Sequence, residues 1–166
     1  QAQGQNKAAA EAAFRQGKEL IAAGEVEEAC TQFARSQALD PQLGTQYNLA
    51  LCYEQLGRLA SAWAELTEIA ARDTKKERQA DSARRAQALG PRLTRMKLEV
   101  AEPVPGLTIM RGELDVTGMI GIDTPVDPGR YVFIVSAPGY EPWQVEKDLT
   151  AEGASIAIEV PALVRV

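Results

Sequence analysis

Few side chains in this sequence have the chemistry needed for catalysis, metal binding or redox activity. The chain has 166 residues, no histidine and two cysteines, Cys30 and Cys52. Without histidine, the commonest general base and metal ligand is absent, and every Ser-His or Cys-His pair is excluded. The two cysteines lack the CxxC spacing of zinc sites and thiol redox motifs. We therefore predict that the protein is not an enzyme.

Three aspartates in the C-terminal part are the best candidates for a cation site. They are Asp115, Asp123 and Asp127. Their spacing differs from that of a calcium-binding loop. The run Asp127-Pro128-Gly129 is also a turn signal by itself, without any metal. The sequence therefore predicts no metal site and no cofactor.

Charge is unevenly distributed along the chain, whose formal net charge is −5. Residues 1–93 contain 12 Lys and Arg against 12 Asp and Glu, whereas residues 94–166 contain 6 against 11. The basic residues between positions 72 and 85 are interleaved with acidic ones, a pattern typical of a solvated helix face. Because nucleic acids select clustered Lys and Arg, we predict no nucleic-acid partner.

The first half of the chain has the composition and periodicity of helices. Residues 1–7 are small and polar, and we expect them to be disordered. Segments rich in Ala, Glu, Lys and Leu follow, each ended by a break in the pattern. The predicted helices cover about residues 7–23, 25–39, 43–55, 59–72 and 75–89. Gly90-Pro91 is a stop signal that marks the domain boundary.

Three pairs of residues in this half recur at a constant offset of 33 positions. The pairs are Gly24 and Gly57, Ala29 and Ala62, and Phe33 and Leu66. In each copy, a glycine precedes a helix whose small and large apolar residues fall on one face. A fixed offset of this size predicts stacked helical repeats.

After residue 91 the hydrophobic pattern changes to alternation. Met96, Leu98 and Val100 alternate with charged residues, which predicts a strand with one buried face. Several short strands separated by Gly and Pro turns predict a small antiparallel β-sandwich. The predicted fold class is therefore α+β with two domains, a helical domain at 8–90 and a β-sandwich domain at 94–166.

Residues 130–137 form the strongest predicted strand. One face carries Tyr131, Phe133 and Val135, and the other carries Val132 and Ile134. Because both faces are apolar, we expect both to be buried. The opposite sheet would cover one face, and the fifth helix, another chain or a loop would cover the other.

The helical half resembles the tetratricopeptide repeat (TPR), which has small residues where its two helices cross, a large apolar residue late in the second helix and a closing proline. The first repeat supplies Gly17, Leu20, Gly24, Ala29, Phe33 and Pro41, and the second supplies Leu49, Ala50, Tyr53, Gly57, Ala62 and Leu66. The resemblance covers about residues 8–90 and implies two helical hairpins followed by a capping fifth helix.

The resemblance to TPRs also implies a concave groove that binds a protein or peptide partner. The matching positions are Phe14, Arg15, Lys18, Tyr47, Asn48, Leu51, Glu54 and Gln55. Phe14 and Lys18 stand where a clamp for a C-terminal carboxylate has Lys and Asn, so we predict no such clamp. The alternative is that this surface packs against the chain's own fifth helix or β domain.

Helix packing in TPRs implies that Cys30, on the second helix, and Cys52, on the third, lie close together. One expectation is therefore a disulfide, which would suit an oxidising compartment. The alternative is a pair of buried free thiols that act as small apolar side chains.

The C-terminal half resembles the PEGA domain, a small β-sandwich of bacterial envelope and surface-layer proteins. Residues 128–143 carry the similarity, with a Gly-x-Tyr strand and an Ala-x-Gly-Tyr run that ends at Tyr140. The two resemblances together imply a periplasmic or envelope-associated scaffold without catalytic residues. Because the chain opens on Gln1 rather than Met, we expect a signal peptide or anchor to have been removed or to lie outside this sequence.

An alternative function for the β domain is contact with the cell wall or another glycan. Tyr140 and Trp143 are aromatic residues of the kind that stack on sugar rings. Such residues also commonly fill a core or seal the corner of a sandwich, and the sequence leaves both possibilities open.

Overall fold

The structure, a computed structural model, describes residues 2–166 and contains two compact units. The first extends to Pro91 and the second is Arg92–Val166. We call them the helical unit and the β unit. Within residues 2–166, the helical unit contains five α-helices and the β unit contains seven strands. The predicted α+β fold with two domains is confirmed.

Each α-helix of the helical unit packs against the next one in the sequence. The helices are α1 (Ala2–Ala22), α2 (Val26–Leu39), α3 (Leu43–Gln55), α4 (Leu59–Arg72) and α5 (Lys76–Leu89). Gly24 and Gly57 separate the members of the two hairpins, each with a φ of +80°. Only glycine adopts this left-handed conformation without a steric penalty, which explains the break at these two positions.

The N-terminal prediction is corrected by the structure. Residues 1–7 were expected to be disordered, but α1 begins at Ala2, while Gln1 lies outside the described residues. The alanine run at positions 8–10 continues a strong helix-forming segment, and the polar residues before it extend that helix by local hydrogen bonding.

The core of the helical unit depends on a close contact between α1 and α2. Phe33 is buried at 1% exposure, and its ring lies against Gly17 of α1. A Cβ atom at position 17 would come within 2.7 Å of that ring. The ring of Phe14, also on α1, packs against Phe33 with 5.7 Å between the ring centroids. A small residue on α1 therefore lets the two helices approach.

A disulfide joins Cys30 of α2 to Cys52 of α3. Their Cα atoms are 5.6 Å apart, and both side chains are buried. The bond connects the second helix of one hairpin to the first helix of the next. It therefore covalently fixes the contact between the two predicted repeats.

We predict that replacing both cysteines by serine lowers the free energy of unfolding of the helical unit by about 3 kcal/mol, because the bond restricts the unfolded chain. Urea denaturation followed by far-ultraviolet circular dichroism measures this change. Reductant should lower the urea midpoint of the wild type to that of the variant and should leave the midpoint of the variant unchanged. A wild-type midpoint that stays the same after both thiols are reduced and alkylated would contradict the prediction.

The β unit is a sandwich of two sheets. Its strands are β1 (Thr94–Val100), β2 (Thr108–Arg111), β3 (Leu114–Asp115), β4 (Thr124–Val126), β5 (Gly129–Ser136), β6 (Trp143–Leu149) and β7 (Ser155–Val160). One sheet has the order β4-β1-β7 and the other β3-β2-β5-β6. Buried residues of both sheets, including Leu98, Ile158 and Phe133, form a single core.

One pairing in the sandwich differs from the predicted antiparallel arrangement. β1 and β7 are parallel, with Arg95 opposite Ser155 and Val100 opposite Val160. The other strand pairs are antiparallel. Alternation of apolar residues predicts which face of a strand is buried but carries no information about strand direction, so the sequence could not show this pairing.

The prediction that both faces of β5 are buried is wrong. Phe133 and Val135 are completely buried, whereas Val132 and Ile134 are 43% and 41% exposed. β6 explains the difference, because Gln144 and Glu146 lie opposite Ile134 and Val132 on the outer face. A polar partner strand marks that face as the solvent side, although β5 alone is apolar on both.

We predict that Ile134→Lys changes the free energy of unfolding of the β unit by no more than about 0.5 kcal/mol, as is usual for surface sites. Phe133→Ala should lower it by about 3–5 kcal/mol, because the buried ring leaves a cavity. Tryptophan fluorescence in a Trp63→Phe background reports the transition through Trp143. A large loss from Ile134→Lys would show that this face is covered in solution.

Candidate functional site

An open cavity of about 650 Å³ lies on the helical unit. Its walls come from α1, the end of α2, the start of α3 and the segment that leads into α5. The lining residues are Lys7, Ala10, Glu11, Phe14, Ser36, Asp40, Gln42, Leu43, Gly44, Thr45, Asn48, Lys75 and Arg78. Since alternate helices α1, α3 and α5 contribute, the cavity occupies one face of the helical stack.

The cavity includes only two of the predicted groove residues, Phe14 and Asn48. Phe14 is half-buried against Phe33, and Asn48 donates a hydrogen bond to the carbonyl oxygen of Gly44, at 2.9 Å. Phe14 is therefore held in place by α2, and Asn48 by its own helix. They provide an apolar surface and an amide at the cavity wall.

The remaining groove residues lie outside the cavity lining. Arg15 and Gln55 are exposed, and Leu51 is half-buried. Lys18 is exposed, and its Nζ lies 5.9 Å from the centroid of the Phe14 ring. Two of the eight predicted positions therefore line this cavity, and the other six do not.

Tyr47 and Glu54 are bound to the chain's own fifth helix. The Tyr47 hydroxyl donates to the Asp81 carboxylate, and Arg85 donates to Asp81 at 2.8 Å and to Glu54 at 2.9 Å. Burial, followed by the contact with Asp81, raises the pKa of Tyr47, while the hydrogen bond from Tyr47 lowers the pKa of Asp81. This network closes part of the predicted groove by joining α3 to α5.

A second polar contact positions the α5 side of the cavity. Asp73, between α4 and α5, is buried and accepts hydrogen bonds from two nitrogens of the Arg78 guanidinium. It also accepts one from the backbone N–H of Lys75, at 3.0 Å. The hydrogen bond from Arg78 is the main reason that the pKa of Asp73 is lowered to about 2. A permanently ionised carboxylate therefore fixes the Arg78 guanidinium.

The third guanidinium nitrogen of Arg78 lies over the first turn of α3. A Cβ atom at Gly44 would be 3.1 Å from this Nη1. Sequence reasoning missed Arg78 because it belongs to a mixed-charge segment that is typical of a solvated surface. The signal that would have identified Arg78 is its short distance in sequence from Asp73, which lies at the turn between α4 and α5.

The aromatic and acidic candidates of the β unit do not form a common site. Trp143 packs against the core, and the Arg165 guanidinium lies 5.8 Å from the centroid of the Tyr140 ring. Asp115 accepts hydrogen bonds from Thr117, and Asp123 accepts one from Ser155 at 2.8 Å. Among residues 2–166, no group of three or more Cys, Asp or Glu residues is arranged to hold a metal ion.

Comparison with protein-family models, with curated proteins and with solved structures gave no match. Within the part of the chain that the structure describes, no helix is long and apolar enough to cross a membrane. The cavity of the helical unit, with its apolar, amide and charged walls, is therefore the candidate functional site.

The Asp73 pKa predicts how stability depends on pH. A pKa lowered from 3.8 to about 2 means that the native state binds fewer protons than the unfolded chain. The stabilisation is therefore complete above pH 3.8 and is lost as the pH falls to about 2. Asp73→Asn should lower the free energy of unfolding of the helical unit near neutral pH and should change it little near pH 2.

Urea denaturation of wild type and Asp73→Asn across this range measures the difference between them. Glu77→Gln, at an exposed position of α5, is the matched control and should not change the pH dependence. A constant difference between wild type and Asp73→Asn at every pH would contradict the assignment.

Proposed function

We propose that this protein is a non-enzymatic scaffold whose helical unit binds a segment of a partner protein. The observation that carries the proposal is the open cavity of about 650 Å³, with Phe14 as an apolar contact and charged groups around it. Cavities of this size accommodate several side chains of a peptide. Helices rather than loops form most of its wall, so little conformational freedom would be lost on binding.

The same proposal places the protein in an oxidising compartment, such as the periplasm or the cell envelope. Its support is the buried disulfide between Cys30 and Cys52, because structural disulfides persist mainly outside reducing cytosol. In this proposal, the β unit positions the helical unit within the envelope.

Glycan binding through the β unit is the second candidate. A shallow cavity of about 590 Å³ borders Tyr140 and Arg165, together with Pro105 and Pro138. It is the weaker candidate, because the Tyr140 ring already lies beside a guanidinium and Trp143 contributes to the core.

Affinity capture from a native envelope fraction tests the first candidate. Asn48→Tyr would place a large side chain at the cavity wall, whereas Gln16→Tyr places one at an exposed position of α1 outside the cavity lining and outside the predicted groove. We expect one protein to be captured by wild type and Gln16→Tyr and to be reduced at least about tenfold with Asn48→Tyr. Circular dichroism should show that both variants are folded.

Equal capture by both variants would overturn the proposal. Retention on purified cell wall by wild type and Asn48→Tyr alike, together with its loss in Tyr140→Ala, would favour the glycan candidate instead.

A further inference from the structure

The two sides of the helical cavity differ in net charge. Lys75 and Arg78 belong to the α5 side, whereas Glu11 on α1 and Asp40 after α2 belong to the opposite side. Because helices pack in sequence order, α3 lies between these two sides. Lys7 is also on the α1 side and partly offsets its acidic residues, as Asp73 partly offsets Arg78 on the other.

Each side keeps an uncompensated charge of its own sign. On the α5 side, Asp73 neutralises Arg78, and Lys75 is left. On the α1 side, Lys7 is outnumbered by Glu11 and Asp40. The cavity is therefore electrostatically polar across its width although its lining is close to neutral as a whole. A ligand with a single charge would gain at one wall and lose at the other.

Lys75 and Glu11 are available to a ligand. Both side chains are exposed at the cavity rim, and within residues 2–166 neither is within ion-pair distance of an opposite charge. Charges at the edge of a concave surface are less screened than charges on an open one, so a complementary ligand gains more from them.

Arg78 provides a fixed hydrogen-bond donor on the basic side of the cavity. Two of its nitrogens are bound to Asp73, and Nη1 extends over Gly44 at the cavity wall. A guanidinium fixed in this way loses little entropy when it binds a carboxylate, in contrast to a free lysine.

From this arrangement we propose that the cavity selects a peptide segment that carries both an acidic and a basic residue. The acidic residue contacts Lys75 and Arg78, the basic residue contacts Glu11 and Asp40, and an apolar residue beside the basic one covers Phe14, which is on the same helix as Glu11. This inference rests on the proposed function, since it specifies which peptides that same cavity accepts.

Fluorescently labelled peptide pools with an otherwise random sequence test the proposal. One pool has a Glu and a Lys, two pools have Gln in place of one or the other, and a fourth has Gln at both positions. Fluorescence anisotropy at low ionic strength should show the pool with both charges bound at least about fivefold more tightly than each of the other three. The preference should decrease as salt is added.

Charge reversal identifies the walls. Lys75→Glu and Glu11→Lys should each abolish the preference for the pool with both charges, and the double variant should restore it, because its two walls again carry opposite charges. Lys76→Glu and Glu19→Lys introduce the same charges on the same elements outside the cavity lining and are the matched controls. Both controls should keep the wild-type preference.

The outcomes separate this inference from the proposed function. Peptide binding that is lost in Asn48→Tyr but shows no preference for the pool with both charges, or a preference changed equally by the control variants, overturns the inference and leaves the peptide site in place. Binding of every pool that is no stronger than in Asn48→Tyr overturns both.

Discussion

The ion pair between Asp73 and Arg78 determines the shape of the candidate site. It lies at the turn between α4 and α5, where Asp73 is buried and also binds the backbone of Lys75. An unpaired carboxylate would be costly at this position, so α5 has to begin where Arg78 can reach it. The entry of α5 sets one wall of the cavity, and α3 meets α5 again through Tyr47 and Asp81. Two polar contacts of α5, Arg78 with Asp73 and Asp81 with Tyr47, thus divide this face of the helical unit into the open cavity and a part that α5 closes.

Local patterns in the sequence were sufficient to predict the helix breaks and the buried helix faces of the helical unit. Gly24 and Gly57 end helices because each has a positive φ, and both were visible as a repeated break. Ala29 and Ala62 are fully buried, as the one-face pattern indicates. The predicted disorder of residues 1–7 is wrong, because the alanine run at positions 8–10 favours a helix that extends back through the polar residues before it.

The β unit and the site depended on contacts between distant residues, which no local pattern reveals. The exposure of Val132 and Ile134 is decided by their partners on β6, and the parallel pairing of β1 with β7 is decided by packing. The cavity likewise uses residues at helix ends, including Asp40, Gln42 and Lys75, whereas most of the predicted groove positions lie within helices. Residues at helix ends become neighbours only after the helices have stacked.

The parallel pairing has a consequence for the order in which the chain folds. β1 needs β7, the last strand of the chain, before its sheet is complete, so the sandwich core cannot close until the C-terminal residues are present. The helical unit is built from contacts between successive helices, which form quickly and locally. During synthesis from the N-terminus, the helical unit can therefore reach its native packing while the strands that follow are still unpaired.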